Sequence, residues 1–347
     1  MITNYSLPKL GWSAFFQQQF TLEEWQNLTA LRVMAQHRSE VELIGECGRQ
    51  RLELTPNMPE LTVGDWLLLD SQGRFVRLLE RLSLFSRKAS GSKVATQLIA
   101  ANVDTVFVAC SLNENFNLSR IERYLVLSKQ AGAEAVVVLT KADHCDDPGG
   151  FVRQVQTLDP LLMVEAVNGL DPQSVTVLEP WCRPGKTIAL LGSSGVGKST
   201  LINTLLGQTM QKTGTIREDD SKGRHTTTGR SLHFMPTGGI LLDTPGMREL
   251  QLADCEAGIR ETFADIDALA DRCRFSDCQH LDEPGCAVRA AIRSGSLNER
   301  RLTNYLKLLR EQALNRESLA EKRARDRSLG RFYRSVKNEV RQRKKRD

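Results

Sequence analysis

This chain has no apolar run long enough to cross a membrane as a helix. Its uncharged apolar runs, VVVL and IALL among them, are of strand length and fall well short of the ~20 residues a span needs. The first residues, MITNYSLPKLGW, have neither a basic leader nor an apolar stretch, so no secretory signal is expected and the cytoplasm is the predicted compartment. No internal repeat is visible, which argues against a solenoid or propeller. Cysteine is too sparse for a disulfide scaffold: of eight in 347 residues, five (Cys47, Cys110, Cys145, Cys182 and Cys255) are scattered. The other three, Cys273, Cys278 and Cys286, fall within fourteen residues that also hold a histidine, and such clustering favours a metal site over disulfides.

The composition, 40% hydrophobic and 26% charged, is that of a globular protein with material for two or three domains. The net charge of +5 is unevenly placed. Residues 320–347 hold twelve Lys or Arg against four Asp or Glu, a balance of +8, which leaves −3 for the remainder. A positive tail on a mildly acidic body predicts a polyanionic partner, RNA first; the plain alternative is a solvated helix end.

Three patterns succeed one another along the chain. Residues 1–90 alternate apolar and polar positions in RVMAQHRSEVELIG, RQRLEL, GDWLLLD and GRFVRLLERL, between Gly, Asn and Pro turns. About five short strands of this kind predict a small β-barrel, an OB-fold by preference, although an SH3-like barrel has the same periodicity. The stretch RKASGSK (87–93) reads as a linker. Residues 91–255 switch to apolar strands (VDTVFVAC, AVVVLT, LLMVEAV, TIALLG) separated by helical segments such as LSRIERYLVLSKQ and GGFVRQVQTL. That alternation predicts a parallel sheet covered on both faces. The last pair, SLHFMP and GILLDTPG, is expected to form a hairpin that adds one antiparallel edge strand. Residues 256–347 read as helical apart from the Cys/His cluster.

Gly192-Ser193-Ser194-Gly195-Val196-Gly197-Lys198-Ser199 fits G-x-x-x-x-G-K-[ST] in full, after a strand and before the helix that begins near Thr200. In such a P-loop the glycines let backbone N–H groups wrap phosphates at the positive end of a helix. Lys198 is expected to reach the β- and γ-phosphates and Ser199 to ligate Mg²⁺. Asp243-Thr-Pro-Gly246 is the expected partner loop: Asp243 holds Mg²⁺ through water and the Gly246 amide senses the γ-phosphate. Thr140-Lys141-Ala142-Asp143 ends another apolar strand. A carboxylate there accepts from both N1–H and the exocyclic amine of guanine, a donor pair adenine lacks. Thr140 stands where Asn is commoner, with a hydroxyl still able to hydrogen-bond, and the Lys141 stem packs along the base. A third base-contacting loop is expected near Glu165–Asn168, with Ala166 its candidate by position alone.

Gly223-Arg-His-Thr-Thr-Thr228 lies where a switch I loop belongs, making Thr226 or Thr227 a candidate Mg²⁺ cap. Met247 occupies the place of the glutamine that orients water in Ras-like enzymes, and methionine cannot do so. Either His225 serves instead or turnover stays slow until a partner assists. Cys273-x₄-Cys278-x-His280-x₅-Cys286 supplies three sulfurs and one nitrogen, a closed set for one structural Zn²⁺ per chain.

The order TKAD, GSSGVGKS, DTPG reverses that of an ordinary GTPase and implies a circularly permuted domain. Together with QLIAANVDTVFVACSLN, RIERYL, GRHTTT, DTPGMREL and CRFSDCQHLDEPGCAV, these motifs resemble the RsgA (YjeQ) family over nearly the whole chain. The resemblance implies an N-terminal OB-fold, a permuted P-loop GTPase domain and a C-terminal α-helical zinc-binding domain. It further implies a monomeric late assembly factor of the small ribosomal subunit, with GTP or GDP and Mg²⁺ bound and hydrolysis stimulated by the subunit. The family's histidine in HTT has a role in hydrolysis, which falls on His225. Two other classes stay open: a constitutive RNA-binding protein that keeps GTP as a structural ligand, and a P-loop ATPase or kinase, against which Asp143 argues.

Overall fold

The computed structural model describes residues 5–88, 96–207, 230–243, 247, 250, 252 and 254–316. Two short helices, α1 (Ala14–Gln17) and α2 (Leu22–Asn27), precede the first strands. α2 starts on a reciprocal capping box between Thr21 and Glu24, which satisfies two otherwise orphaned backbone donors.

The five expected strands are β1 (Thr29–Gln36), β2 (Glu40–Gly45), β3 (Gly48–Glu53), β4 (Trp66–Leu69) and β5 (Phe75–Leu78). They pair antiparallel in the order β3-β2-β1-β4-β5. Alternation fails in β1 and β4, where Ala30–Met34 and Trp66–Leu69 are buried without a break. The reason is that both faces are covered. Leu31, Val33, Leu67 and Leu69 join one core cluster, and Ala30, Met34, Trp66 and Leu68 join the larger one that continues into the rest of the chain. β6 (Leu84–Lys88) and β7 (Thr96–Ala101) form a separate ladder in which Arg87 faces Gln97 and Lys88 faces Thr96. The first two residues of the expected linker are therefore strand, and the hairpin straddles position 90; Ala89–Lys93 lie outside the described residues.

The central sheet has β8 (Thr105–Ser111), β9 (Glu134–Thr140), β10 (Met163–Val167), β11 (Thr187–Leu191) and β13 (Ile240–Asp243) parallel, in the order β10-β9-β8-β11-β13. α3 (Leu118–Ala131) covers one face through Ile121 and Leu125, against Val106 and Val108. α6 (Lys198–Leu206) covers the other through Leu201 and Ile202, against Phe107, Val138 and Ile188. α4 (Pro148–Gln156) and α5 (Pro172–Val175) occupy other connections. The hairpin of β12 (Arg230–Phe234) with β13 forms as expected, but β12 is not an edge. Gln36 and Ala35 of β1 pair with Arg230 and Ser231, which joins the N-terminal strands and the parallel strands into one eleven-stranded sheet. An exposed ladder edge is a liability, and here another part of the chain closes it.

Arg32 secures the same junction. Fully buried, it donates to Leu10 O (2.7 Å), Gly64 O (3.3 Å), Asn102 O (3.0 Å) and Thr187 Oγ1 (2.9 Å). Burial pulls its guanidinium down to about 10, so these acceptors offset a real desolvation cost.

The C-terminal part comprises α7 (Glu256–Thr262), α8 (Ala264–Ala270), α9 (Ala287–Arg293) and α10 (Glu299–Arg316). α7 lies tightly on α3: a Cβ at Gly258 would meet the Val126 carbonyl oxygen at 2.3 Å. Among the described residues no helix is long and apolar enough to cross a membrane.

Candidate nucleotide site and metal centre

Because β8, β9, β11 and β13 are parallel, Ser111, Thr140, Gly192 and Asp243 all emerge at one edge of the sheet, where α/β folds bind ligands. The two loops that the sequence singles out touch there. Thr140 Oγ1 donates to the Val196 carbonyl of the P-loop at 2.5 Å, and the Thr140 carbonyl accepts from Leu112 N–H at 2.9 Å. The threonine in the place of asparagine thus ties one loop to the other.

The P-loop takes its shape from its glycines. Gly195 and Gly197 have φ of 78° and 90°, values that cost other L-residues energy. A Cβ at Gly192 would lie 2.5 Å from Ala109 O on the neighbouring strand. Gly197 caps α6, so the helix N-terminus faces into the loop. Lys198 is buried, with Nζ donating to the Gly192 carbonyl at 2.7 Å and also to that of Ser193. Val196 is buried, Ser194 is exposed, and Ser199 and Thr200 follow in the first turn of α6.

Lys141 adopts the left-handed conformation (φ 61°), which turns the chain sharply after β9 and starts a 3₁₀ turn at Ala142–His144. Asp143 sits on that turn, with Oδ2 3.3 Å from Nε2 of the exposed His144. Ala166 lies within β10, in register with Leu139, so it is not a loop residue. The loop at that edge starts at Asn168, whose N–H donates to Ser174 Oγ and whose Oδ1 accepts from Leu170 N–H. Gly169 O then accepts from Thr204 Oγ1 of α6 at 2.6 Å, bringing this loop against the P-loop helix. Sequence periodicity could not place the strand end, because Ala and Val continue the apolar run of β10.

Asp243 ends β13 opposite Ser231. By alternation it shares the face of Leu241, which packs against Leu201 and Ile202 of α6. Ser231 Oγ and His233 Nε2 are 2.9 Å apart on the same face, and burial pushes the His233 imidazole below its ordinary range. His225, Thr226, Thr227 and Gly246 lie outside the described residues. Met247 is buried in the main core.

The four predicted metal ligands converge. His280 Nδ1 is 3.6 Å from both Cys273 Sγ and Cys286 Sγ, which are 3.9 Å apart, and all four ligand atoms, Cys278 included, lie within 4.8 Å of one another. Tetrahedral bonds of about 2.3 Å to sulfur and 2.0–2.1 Å to nitrogen separate ligand atoms by roughly 3.6–3.8 Å, so the set fits Zn²⁺. The supporting bonds orient it. Arg289 Nε donates to the carbonyls of His280 (2.9 Å) and Leu281 (2.8 Å), and the Glu283 carboxylate accepts from Gln279 and Leu281 N–H. His280 pays with a left-handed backbone (φ 60°).

The RsgA GTPase family pattern matches residues 78–253. "Small ribosomal subunit biogenesis GTPase RsgA 2" of Vibrio parahaemolyticus is 61% identical over 341 residues, covering 98% of this chain and 95% of that protein. "Small ribosomal subunit biogenesis GTPase RsgA" of Mesorhizobium japonicum is 45% identical over 316 residues, 89% of this chain and 91% of that one. Among solved structures, YjeQ from Thermotoga maritima superposes with a TM-score of 0.62 at 27% identity, over 84% of this chain and 100% of that one. YloQ, a circularly permuted GTPase, has a TM-score of 0.59 at 20% identity and shares the fold over 84% of this chain and 97% of that one. With its reversed motifs meeting at one sheet edge, this chain belongs to the RsgA family of circularly permuted GTPases.

Proposed function

We propose that GTP binds across the edge where β9, β11 and β13 end, and that its hydrolysis to GDP and phosphate times a late step of small-subunit assembly. The chain is a GTP-hydrolysing enzyme of small ribosomal subunit biogenesis. The observation that carries the proposed site is the Thr140–Val196 hydrogen bond, which joins a candidate base-reading loop to a phosphate-binding one.

In this reading Asp143 accepts from the guanine N–H groups, Lys141 packs on the base, and Ala166, near the end of β10, leads into the Asn168–Gly169 loop that closes beside it. The amides of Gly192–Thr200 and the Lys198 ammonium hold the phosphates. Ser199, Asp243 and Thr227 hold Mg²⁺, which neutralises phosphate charge, and Thr226 and Gly246 complete the phosphate contacts. His225 orients water, since Met247 is buried and has no suitable group. One Zn²⁺ on Cys273, Cys278, His280 and Cys286 has a structural role, because four protein ligands leave no open position. The division is residues 1–90 as an OB-fold, 91–255 as the GTPase domain and 256–347 as a zinc-binding helical domain. The OB-fold and the basic tail contact rRNA, and the chain acts in the cytoplasm as a monomer.

Single-turnover GTP hydrolysis with and without purified small subunits tests this reading. Acceleration by subunits that is lost in His225→Ala is the expected result; GTP that persists unhydrolysed in both arms would leave a constitutive RNA-binding protein. Asp143→Asn replaces an acceptor by a donor and should cost on the order of 10²-fold in GTP affinity.

A further inference from the structure

The eleven-stranded sheet carries an unbroken rung from the N-terminal strands to the nucleotide edge. Ala35 of β1 pairs with Ser231 of β12, and Ser231 pairs with Asp243 of β13. Asp243 is therefore two strand spacings, about 10 Å, from β1. One residue away, Gln36 pairs with Arg230, the first described residue after the stretch that holds GRHTTT. The side chains repeat the link: Arg230 Nη1 donates to Gln36 Oε1 at 3.2 Å and to the Leu98 carbonyl of β7. Gln36 Nε2 in turn donates to Leu61 O at 3.0 Å. β1 also bears a bulge between Val33 and Ala35, a device that re-aims a strand where it occurs.

Merely covering an edge strand would need backbone pairing alone. Here a half-buried guanidinium, desolvated and bonded to two other strands, holds Arg230 of β12 in place. Charge-assisted bonds of this kind are directional as well as strong. We propose that Arg230 is a positioning residue through which the N-terminal strands, when held by the small subunit, set β12 and thereby Asp243 for hydrolysis. The proposal rests on the GTPase reading above and adds the route by which the subunit stimulates it: β1 is the input arm, and Gln36–Arg230 is its contact.

The experiment measures kcat and KM for GTP, with and without saturating small subunits, and the subunit Kd, using the full chain. Gln36→Ala should leave basal turnover, KM and subunit Kd within about twofold while subunit-stimulated kcat falls about fivefold or more, the loss expected when one charge-assisted contact that carries the subunit's effect is removed. Arg230→Gln, which loses the charge, should lower the stimulated kcat similarly, and Arg230→Lys, which keeps it, should recover part of it. Hydrogen exchange at Ala35 and Gln36 in the unmodified chain should differ between GDP and a non-hydrolysable GTP analogue. Stimulation unchanged in both Gln36→Ala and Arg230→Gln would overturn the proposal and leave the GTPase reading standing. A parallel fall of basal turnover, stimulated turnover and subunit affinity would also overturn it, in favour of a purely structural contact. An unmodified chain indifferent to subunits would sink the function reading itself, and this one with it.

Discussion

Glu122 of α3 and Arg301 of α10 form a buried ion pair at 2.9 Å, with the Glu122 side chain fully inaccessible. Arg300 adds two bonds to the same carboxylate (2.8 and 3.0 Å) and Asn304 Nδ2 a fourth at 2.5 Å. Arg301 turns its other nitrogens to Asp265 and Thr262 O, Arg123 pairs with Glu311, and Asn315 Nδ2 donates to Leu252 O at 2.6 Å. The helical C-terminal part is thus bolted to α3 of the parallel-sheet region.

Removing one partner of such a cluster leaves buried charge uncompensated. Glu122→Ala should cost about 3–5 kcal/mol of unfolding free energy. Glu122→Gln, which keeps one acceptor, should cost less. Denaturant melts followed by circular dichroism check the order; a Glu122→Ala chain as stable as the original would show that the network is dispensable.

Thr140→Val keeps shape but strands the Val196 carbonyl without its donor. A buried acceptor left unpaired costs about 1–3 kcal/mol, so GTP affinity should weaken by roughly tenfold. Thr140→Asn restores a donor and should bind within about threefold of the original. Calorimetric titration with GTP distinguishes the pair, and equal binding by Thr140→Val would refute the tie.

Cys278→Ser should reduce bound zinc below one atom per chain and loosen the segment between α8 and α9. Metal binding to such sites is coupled to folding, so a chelator should lower the melting temperature of the original chain and leave that of the variant nearly unchanged. Elemental analysis and thermal melts read both effects; zinc retained at one per chain in Cys278→Ser would contradict the ligand set.

The Glu24 carboxyl is held down to about 2, chiefly by its bonds to Arg77, with a second contribution from Thr21 N–H. A carboxylate depressed on folding contributes stability above its unfolded value near 4.5, and that contribution is lost as pH falls through about 2. The stability gap between the original chain and Glu24→Gln should therefore be constant above about pH 5 and shrink progressively down to about pH 2. A gap that persists at the acid end would mean that the pair is not the cause.

The motifs were legible because each is local. Gly192–Ser199, Asp243 and the Cys/His quartet carry their chemistry within a few residues, and the reversed order of TKAD and the P-loop already implied permutation. What periodicity could not supply was burial on both sides of a strand. Trp66–Leu69 lost their alternation only because two cores meet there. Ala166 was misplaced into a loop for a related reason: an apolar run does not mark where a ladder stops.

Residue identity by itself determined which groups can bind phosphate, read a base or hold zinc, since hydroxyl, ammonium, carboxylate and thiolate chemistry is fixed by the side chain. Only the tertiary structure decided which of these groups meet. Thr140 finds Val196 across 56 positions, Glu122 finds Arg300 across 178 and Arg230 finds Gln36 across 194. Contacts at such separations are selected by the packing of whole sheets and helices against solvent, and no local pattern of residues encodes them.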